Sequence, residues 1–360
     1  MSLKPINKNM GFIKLIDTPR AKIMIRAANW VGDAIMTTPV IRAVRKNFPK
    51  ATIIVLAKPW VIPVYENNPY VDEILVYDNN NRHKKGLGTL RLAKDLRGYE
   101  FDLAILMQNA FEAGLISYLG CIKERVGYRT DGRWFLLNRG IKLDPALKKR
   151  HLIDYYIGIL KGAHLADDGR GLDLFLCDSD REFADHFLKQ EKFDLSQPVI
   201  GINPGATGGT AKRWFPQRYA EVCKILAGKF NVKILIFGGP ADVELGEYIA
   251  GLSKDCCINI AGTTSLGQAF ALIEKCSLFI TNDSGLMHAA AALKINQIAV
   301  IGSTDFVATA PSNKNSIMVR AKVPCSPCLK DVCPNDHECM DKISVDMVME
   351  TCKSLLKANW

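Results

Sequence analysis

The sequence predicts an α/β protein of two domains, each a doubly wound parallel sheet, with a cleft between them. Three observations predict it. The chain has 360 residues, beyond the size at which a single core keeps growing. Short β-branched runs alternate with helical patterns from one end to the other, and the alternation restarts after a polar break at Lys192–Gln197. Strand–helix alternation implies right-handed crossovers and a sheet buried on both faces. The expected division is a tail over 1–20, a first domain over 21–192, a second over 193–345 and a C-terminal helix over 346–360.

In order, Lys22–Ala27 reads as a strand, Asp33–Asn47 as a helix, and Thr52–Ala57 and Glu73–Tyr77 as strands. Leu87–Leu96 is a helix, Phe101–Leu106 a strand and Ala110–Leu119 a helix. After the break, Val199–Asn203 is a strand, Pro216–Lys229 a helix, Val232–Phe237 a strand, and Val243–Leu252 and Ser265–Lys275 are helices. Leu278–Thr281 is a strand, Ser284–Leu293 a helix and Gln297–Ile301 a strand. Sheets of this kind take ligands outside the carboxyl ends of their strands, so the strand-end loops of both halves should meet the cleft.

Hydrophobic residues make up 48% and charged residues 23% of the chain, the balance of an ordinary globular protein. No run approaches the roughly 18 apolar residues of a membrane span. Met1–Arg20 lacks an apolar core and a small-residue cleavage site, so no secretory signal is read there and a cytoplasmic location is expected. Eleven cysteines in such a chain point to a reducing compartment. The formal net charge of +10 favours an acidic partner. Solubility, a phosphate-bearing substrate or an anionic lipid surface all account for it. Nucleic acid is disfavoured, because the cations are dispersed and lack interleaved aromatic residues.

Four strand-end segments carry chemistry. The first, Asn203–Trp214, is rich in glycine and small hydroxyl residues and ends on Lys212 and Arg213 before a helix that opens with Pro216. Glycines let backbone amides approach an anion, and helix N-termini favour phosphate. The segment is neither a Walker A loop nor GxGxxG, so an ordinary nicotinamide fold is disfavoured. A flexible loop with incidental cations is the plainer account. The second, Thr281–His288, offers Ser284 and Gly285 as amide donors to a diphosphate, Asp283 as an acceptor from sugar hydroxyls and His288 as a phosphate donor. Capping of the next helix by Asp283 or Ser284, with a packed His288, explains the same residues. The third, Asn29–Asp33, puts a carboxylate at a strand tip, where Asp33 serves either as an N-cap or as a general base. In the fourth, Phe237–Asp242, Asp242 either caps a helix or holds the two hydroxyls of a ribose.

Cys325, Cys328, Cys333 and Cys339, with His337 nearby, form a fifth cluster. Four thiolates this close suit a structural zinc ion, although the spacing is tighter than two CxxC pairs. Reduced packed thiols and disulfides are the other two readings. No catalytic part is expected of the cluster.

Trp30-Val31-Gly32-Asp33, Asn203-Pro204-Gly205-Ala206, Ala211-Lys212-Arg213-Trp214 and Asn282-Asp283-Ser284-Gly285-Leu286-Met287-His288 together resemble the ADP-heptose–lipopolysaccharide heptosyltransferases, glycosyltransferase family 9, nearest the heptosyltransferase II branch. The resemblance spans roughly Lys22 to Leu356. It implies the GT-B architecture, two Rossmann-like domains with the active site between them, and an inverting transfer of L-glycero-D-manno-heptose from ADP-heptose to the lipopolysaccharide inner core. Carried over, Asp33 is the general base, and Lys212 holds the diphosphate and helps ADP leave. Thr207 and Gly208 line the phosphate pocket, and Asp242 binds the ribose. Asp283 holds the donor with the Ser284 and Gly285 amides, and His288 stands near the diphosphate. No cofactor is required, and a peripheral position at the inner face of the inner membrane is expected, without nucleic acid. A transferase using another nucleotide sugar or acceptor, or a non-catalytic nucleotide-sugar binding protein, is the alternative.

Overall fold

The computed structural model describes residues 18–356 apart from 85, 195 and 255. The expected N-terminal tail and the last four residues of the expected C-terminal helix therefore fall almost wholly outside the described residues. One compact unit runs to Phe175 and a second starts at Leu176.

In the first unit the elements are β1 (Lys22–Arg26), α1 (Val31–Met36), α2 (Thr38–Asn47), β2 (Thr52–Ala57), β3 (Glu73–Val76) and α3 (Leu87–Tyr99). They continue with β4 (Leu103–Leu106), α4 (Phe111–Leu119), β5 (Glu124–Tyr128), β6 (Arg139–Ile141) and α5 (Leu152–Gly162). The strands lie in the order β3-β2-β1-β4-β5-β6 and every pair is parallel. The second unit holds α6 (Asp178–Gln190), β7 (Val199–Asn203), α7 (Pro216–Phe230), β8 (Ile234–Ile236), α8 (Val243–Leu252), β9 (Cys257–Asn259) and α9 (Leu266–Glu274). It ends with β10 (Cys276–Asn282), α10 (Gly285–Ala292), β11 (Gln297–Val300), β12 (Ser316–Val319), α11 (Glu338–Asp341) and α12 (Val345–Leu356). Its strands, again all parallel, lie in the order β12-β11-β10-β7-β8-β9.

Numbered from the first strand of each unit, both sheets follow the order 3-2-1-4-5-6 of a dinucleotide-binding fold. The winding reverses between β1 and β4 in one unit and between β7 and β10 in the other, and loops leaving such a pair part to either side of the sheet. The central strands explain their burial: Met24 and Leu56 pack under Leu92, Leu96 and Ile116 of α3 and α4, while Ile23, Ile25, Ile53 and Val55, on the opposite face, are equally buried. A sheet covered on both sides demands continuous apolar strands. The doubly wound α/β class expected from the sequence is the one observed.

Three boundaries differ from expectation. The helix expected over Asp33–Asn47 is two helices, because Pro39 has no N–H to give the Ile35 carbonyl. The Thr38 hydroxyl donates to that carbonyl instead, at 2.7 Å, and the Thr37 hydroxyl to Ala34 O at 2.6 Å. The break between units precedes α6 and not Phe193. Ala184 and Leu188 of α6 are fully buried, Arg181 grips Glu274 of α9 with both arms of its fork at 3.0 and 3.1 Å, and Lys275 pairs with Asp185. The C-terminal helix is part of the second unit: Val348, Met349, Cys352 and Leu356 share one core with Ile298 and Val300. Among the described residues no helix is long and apolar enough to cross a membrane.

Candidate active site

The segments Asn203–Trp214 and Thr281–His288 of the second unit lie side by side because β7 and β10 are neighbours, with Asn203 opposite Thr281 in register. Two asparagines fasten them. Asn203 Nδ2 donates to Ser284 Oγ at 2.7 Å and to Thr281 Oγ1 at 3.1 Å. Asn282 Nδ2 donates to the Pro204 carbonyl at 2.7 Å, and its Oδ1 accepts from Trp214 N at 3.1 Å and the Tyr219 hydroxyl at 3.0 Å. Trp214 is buried and donates through its indole N–H to Ile343 O at 2.9 Å.

Between these anchors the loop turns outward. Thr207 and Gly208 are exposed at its tip, and Gly208 and Gly209 have φ of +94° and +125°. Gly209 lies so close to the Asp331 backbone that a Cβ would collide with it, so the glycine is required by both conformation and space. The Ala211 amide donates to Asp331 O at 3.0 Å, which fixes the short turn Thr210–Lys212. Each cation then meets a carboxylate. Lys212 Nζ lies 3.9 Å from Asp283 Oδ2, a loose pair. Arg213 Nη2 is 3.3 Å from Asp242 Oδ1. Asp283 Oδ2 also accepts from the Thr309 hydroxyl at 3.1 Å. Asp242 accepts from the Gly239 amide at 3.1 Å and packs against Gly205.

The capping accounts do not describe these side chains. Ser284 occupies the N-cap position of α10 but makes no side-chain cap, since its hydroxyl is taken by Asn203. Asp242 precedes α8 and likewise makes no cap to that helix. The first turn of α10 therefore presents amide N–H groups without a side-chain oxygen, the arrangement that binds anions at helix starts. His288 is buried one turn further along α10.

In the first unit Asp33 lies within the first turn of α1, whose N-cap residue is Trp30. The carboxylate is half-buried and accepts a hydrogen bond of 2.9 Å from the Tyr156 hydroxyl of α5. Burial first, and then the charge of Asp33 and that hydrogen bond, push the Tyr156 hydroxyl well above the ordinary phenol range, so it stays a neutral donor. Behind them Arg26 at the tip of β1 is buried. It donates to Ala27 O at 2.6 Å and Asn29 Oδ1 at 2.9 Å and stacks over Tyr77. Desolvation lowers its pKa to about 10. Its bonds hold the Ala27–Trp30 loop in shape.

Cys325, Cys328, Cys333 and Cys339 are free thiols. Among the described residues no three His, Cys, Asp or Glu side chains are placed to hold a metal ion, and of the three readings the free thiols match the reduced, packed one. Cys339 is turned into the core of the second unit, where burial, and then the neighbouring Cys325, Cys333 and Cys328, push its thiol pKa up. The segment contributes packing, through Asp331 against the Gly209–Ala211 backbone.

Sequence reasoning singled out both loops and Asp33. It missed Tyr156, Arg26, the pairing of Arg213 with Asp242, and the fastening role of Asn203 and Asn282. No local signal marks Tyr156, which sits in an apolar helix far along the chain.

Two sheets wound in the nucleotide-binding order, one with a cation and an uncapped helix start at its switch point, define a class: doubly wound α/β proteins with a place suited to an anionic ligand. The comparisons sharpen this. The sequence profile of glycosyltransferase family 9 (heptosyltransferase) matches residues 89–338. Lipopolysaccharide heptosyltransferase 2 of Salmonella typhimurium is 32% identical over 93% of this chain and 98% of its own length. The solved structure of the ADP-heptose lipopolysaccharide heptosyltransferase II of Escherichia coli superposes with a TM-score of 0.79 at 28% identity, covering 94% of this chain and 99% of that one. A family 9 glycosyltransferase from Veillonella parvula, 24% identical, shares the fold with a TM-score of 0.83 over 94% of this chain and 98% of that one. The chain belongs to glycosyltransferase family 9 and is a glycosyltransferase.

Proposed function

We propose that this enzyme moves L-glycero-D-manno-heptose from ADP-heptose to the phosphorylated inner core of lipopolysaccharide, inverting the anomeric carbon. The observation that carries the reading is the approach of Lys212 to Asp283 at the open start of α10. There a cation and amide dipoles converge where a leaving diphosphate gains negative charge. The names of the relatives, a lipopolysaccharide heptosyltransferase 2 and an ADP-heptose heptosyltransferase II, supply the donor and acceptor.

In this mechanism Asp33 accepts the proton of the acceptor hydroxyl, held in position by Tyr156. The hydroxyl oxygen bonds to the anomeric carbon as the bond to the β-phosphate oxygen breaks, through an oxocarbenium-like transition state. ADP leaves onto Lys212, the Thr207–Gly208 backbone and the Ser284 and Gly285 amides, with His288 near the diphosphate. Asp283 receives donor-sugar hydroxyls, and Asp242 receives those of the ribose after its Arg213 contact loosens. The enzyme acts in the cytoplasm, at the inner face of the inner membrane, and nucleic acid is no partner.

ADP release with ADP-heptose and purified inner-core lipopolysaccharide tests the reading, alongside thermal shifts with ADP and UDP. Turnover and a shift by ADP that clearly exceeds that by UDP are expected. Equal shifts would point to another nucleotide sugar, and a lack of turnover on every inner-core acceptor would remove this one.

A further inference from the structure

We propose that Lys58 and Trp60, at the carboxyl edge of the first sheet, receive an anionic sugar of the acceptor, with Lys58 reading its charge. The proposal rests on the reading above, in which Asp33 activates an acceptor hydroxyl, and it adds residues that hold that acceptor.

Parallel register brings three strand ends to one edge. Arg26 closes β1 opposite Leu56 of β2, and Ala57 lies opposite Val76 of β3. The residues that follow, Lys58 and Tyr77, leave the edge side by side. The Lys58 ammonium sits 5.8 Å from the centroid of the Tyr77 ring and 5.0 Å from that of Trp60. Trp60 is 41% exposed, and its indole N–H donates to the Asn29 carbonyl at 2.7 Å. That bond fixes the edge of the indole to the loop that leads into α1 and Asp33. The turn that carries Trp60, Pro59–Val64, is anchored by buried Val61 and Val64 and packs on α1. Trp30, at the N-cap position of α1, is 62% exposed. Both indoles thus stand on the loop before Asp33, Trp30 by sequence and Trp60 through Asn29. Large exposed aromatic faces beside polar groups mark ligand sites.

Charge selects the ligand. Arg26 is fully buried, with its guanidinium 5.2 Å from the centroid of the same Tyr77 ring. Among the described residues its bonds go to neutral oxygens of Ala27, Leu56 and Asn29, and its Nε has no hydrogen-bond partner. A buried charge held only by neutral groups is poorly compensated, and Lys58 adds a second positive charge over the ring. Of the acids close by, Glu112 accepts from the Tyr77 hydroxyl at 2.5 Å and Asp33 from Tyr156 at 2.9 Å. The rings orient the ammonium without supplying a full negative charge. The edge therefore suits an anion held through Lys58, with Arg26 behind it. A phosphate ester and a sugar carboxylate share that chemistry, and an indole face suits the sugar ring that carries either. A neutral glycan would gain nothing from the two cations.

Turnover is measured on three soluble acceptors: deacylated inner-core oligosaccharide as isolated, after phosphatase, and after reduction of its carboxyl groups. Lys58→Gln should lower kcat/KM on the intact acceptor roughly 10- to 100-fold, the worth of one charge-assisted hydrogen bond, with ADP affinity held. On one of the neutralised acceptors the parent should fall to the level of the variant, and that acceptor names the anion. Lys58→Arg keeps the charge and should keep the preference. Trp60→Ala should raise KM on all three acceptors, because the ring carries the sugar and not its charge. Circular dichroism checks that each variant folds. An equal loss in Lys58→Gln on all three acceptors would make the lysine a loop-shaping residue and overturns the proposal. So does an unchanged kcat/KM on the intact acceptor, a parent indifferent to both treatments, a Lys58→Arg as impaired as Lys58→Gln, or an unchanged KM in Trp60→Ala. A parent without turnover on any acceptor counts against the heptosyl-transfer reading, and calorimetry with the same oligosaccharides then decides Lys58. Affinity that falls both with removal of the anion and in Lys58→Gln upholds the site; equal affinity, or no binding of any of the three, overturns it.

Discussion

Asp33 owes its setting to a residue that no inspection of its neighbourhood would find. The strand-tip position was legible, because an acid after a β-strand and a glycine is visible in sequence; the choice between cap and base was not. The structure assigns the N-cap position to Trp30 and gives the carboxylate a buried donor, Tyr156. Replacing Asp33 by Asn is expected to lower kcat by about 10²–10⁴-fold, the usual worth of a general base, with ADP affinity retained; equal turnover in the variant would remove Asp33 from the mechanism. Tyr156→Phe tests the positioning. Without that 2.9 Å bond the carboxylate loses the donor that orients it, so kcat should fall while ADP affinity holds. A purely structural tyrosine would lower thermal stability and leave kcat where it was. For Lys212→Ala the expected outcome is weaker ADP binding by calorimetry, with no loss of fold, since its ion pair among the described residues is long, at 3.9 Å.

At the scale of elements, the donor loops were legible as segments but not as a pair. Glycines and hydroxyl residues after a strand are a local signal; that Asn203 and Asn282 fasten them together depends on β7 and β10 being neighbours, which follows from sheet order alone. The same distinction explains the missed strands. β6 and β9 have three residues each, and β5 is interrupted by Arg125 and Gly127, so their pairing partners and not their own composition make them strands. Asn282 allows a test. Its carbonyl satisfies the Trp214 amide and the Tyr219 hydroxyl, both buried. An unsatisfied buried donor costs about 1–3 kcal/mol, so Asn282→Ala should lose on the order of 2–5 kcal/mol of unfolding free energy. ADP should also recover less of that stability than it adds to the parent, because the phosphate loop is no longer fastened to the start of α10. Urea titrations with and without ADP measure both; a variant as stable as the parent would show that water replaces the asparagine.

For the whole molecule, the repetition of one strand order in two units was legible in outline, because alternation that stops and restarts is a property of the entire chain. The position of the division was not. A polar stretch at Lys192–Gln197 has the composition of a linker, yet composition does not reveal which core a preceding helix has joined. α6 is amphipathic and its apolar stripe has joined α9, so the stretch is only a loop between two parts of one unit. That decides where a fragment can begin. A chain starting at Leu176 keeps Ala184 and Leu188 in the core and Arg181 on Glu274. One starting at Phe193 leaves the matching face of α9 in water. Burying a leucine side chain contributes about 1.5–3 kcal/mol, and the partly exposed arginine fork roughly 0.5–1 kcal/mol. Their loss takes a large share of a stability that is typically about 5–15 kcal/mol. The longer fragment is therefore expected to unfold cooperatively and to gain thermal stability from ADP, and the shorter one to be soluble poorly or not at all. If the fragment from Phe193 melts as sharply and at the same temperature, α6 belongs to the connection between the units and the division lies where composition alone would have put it.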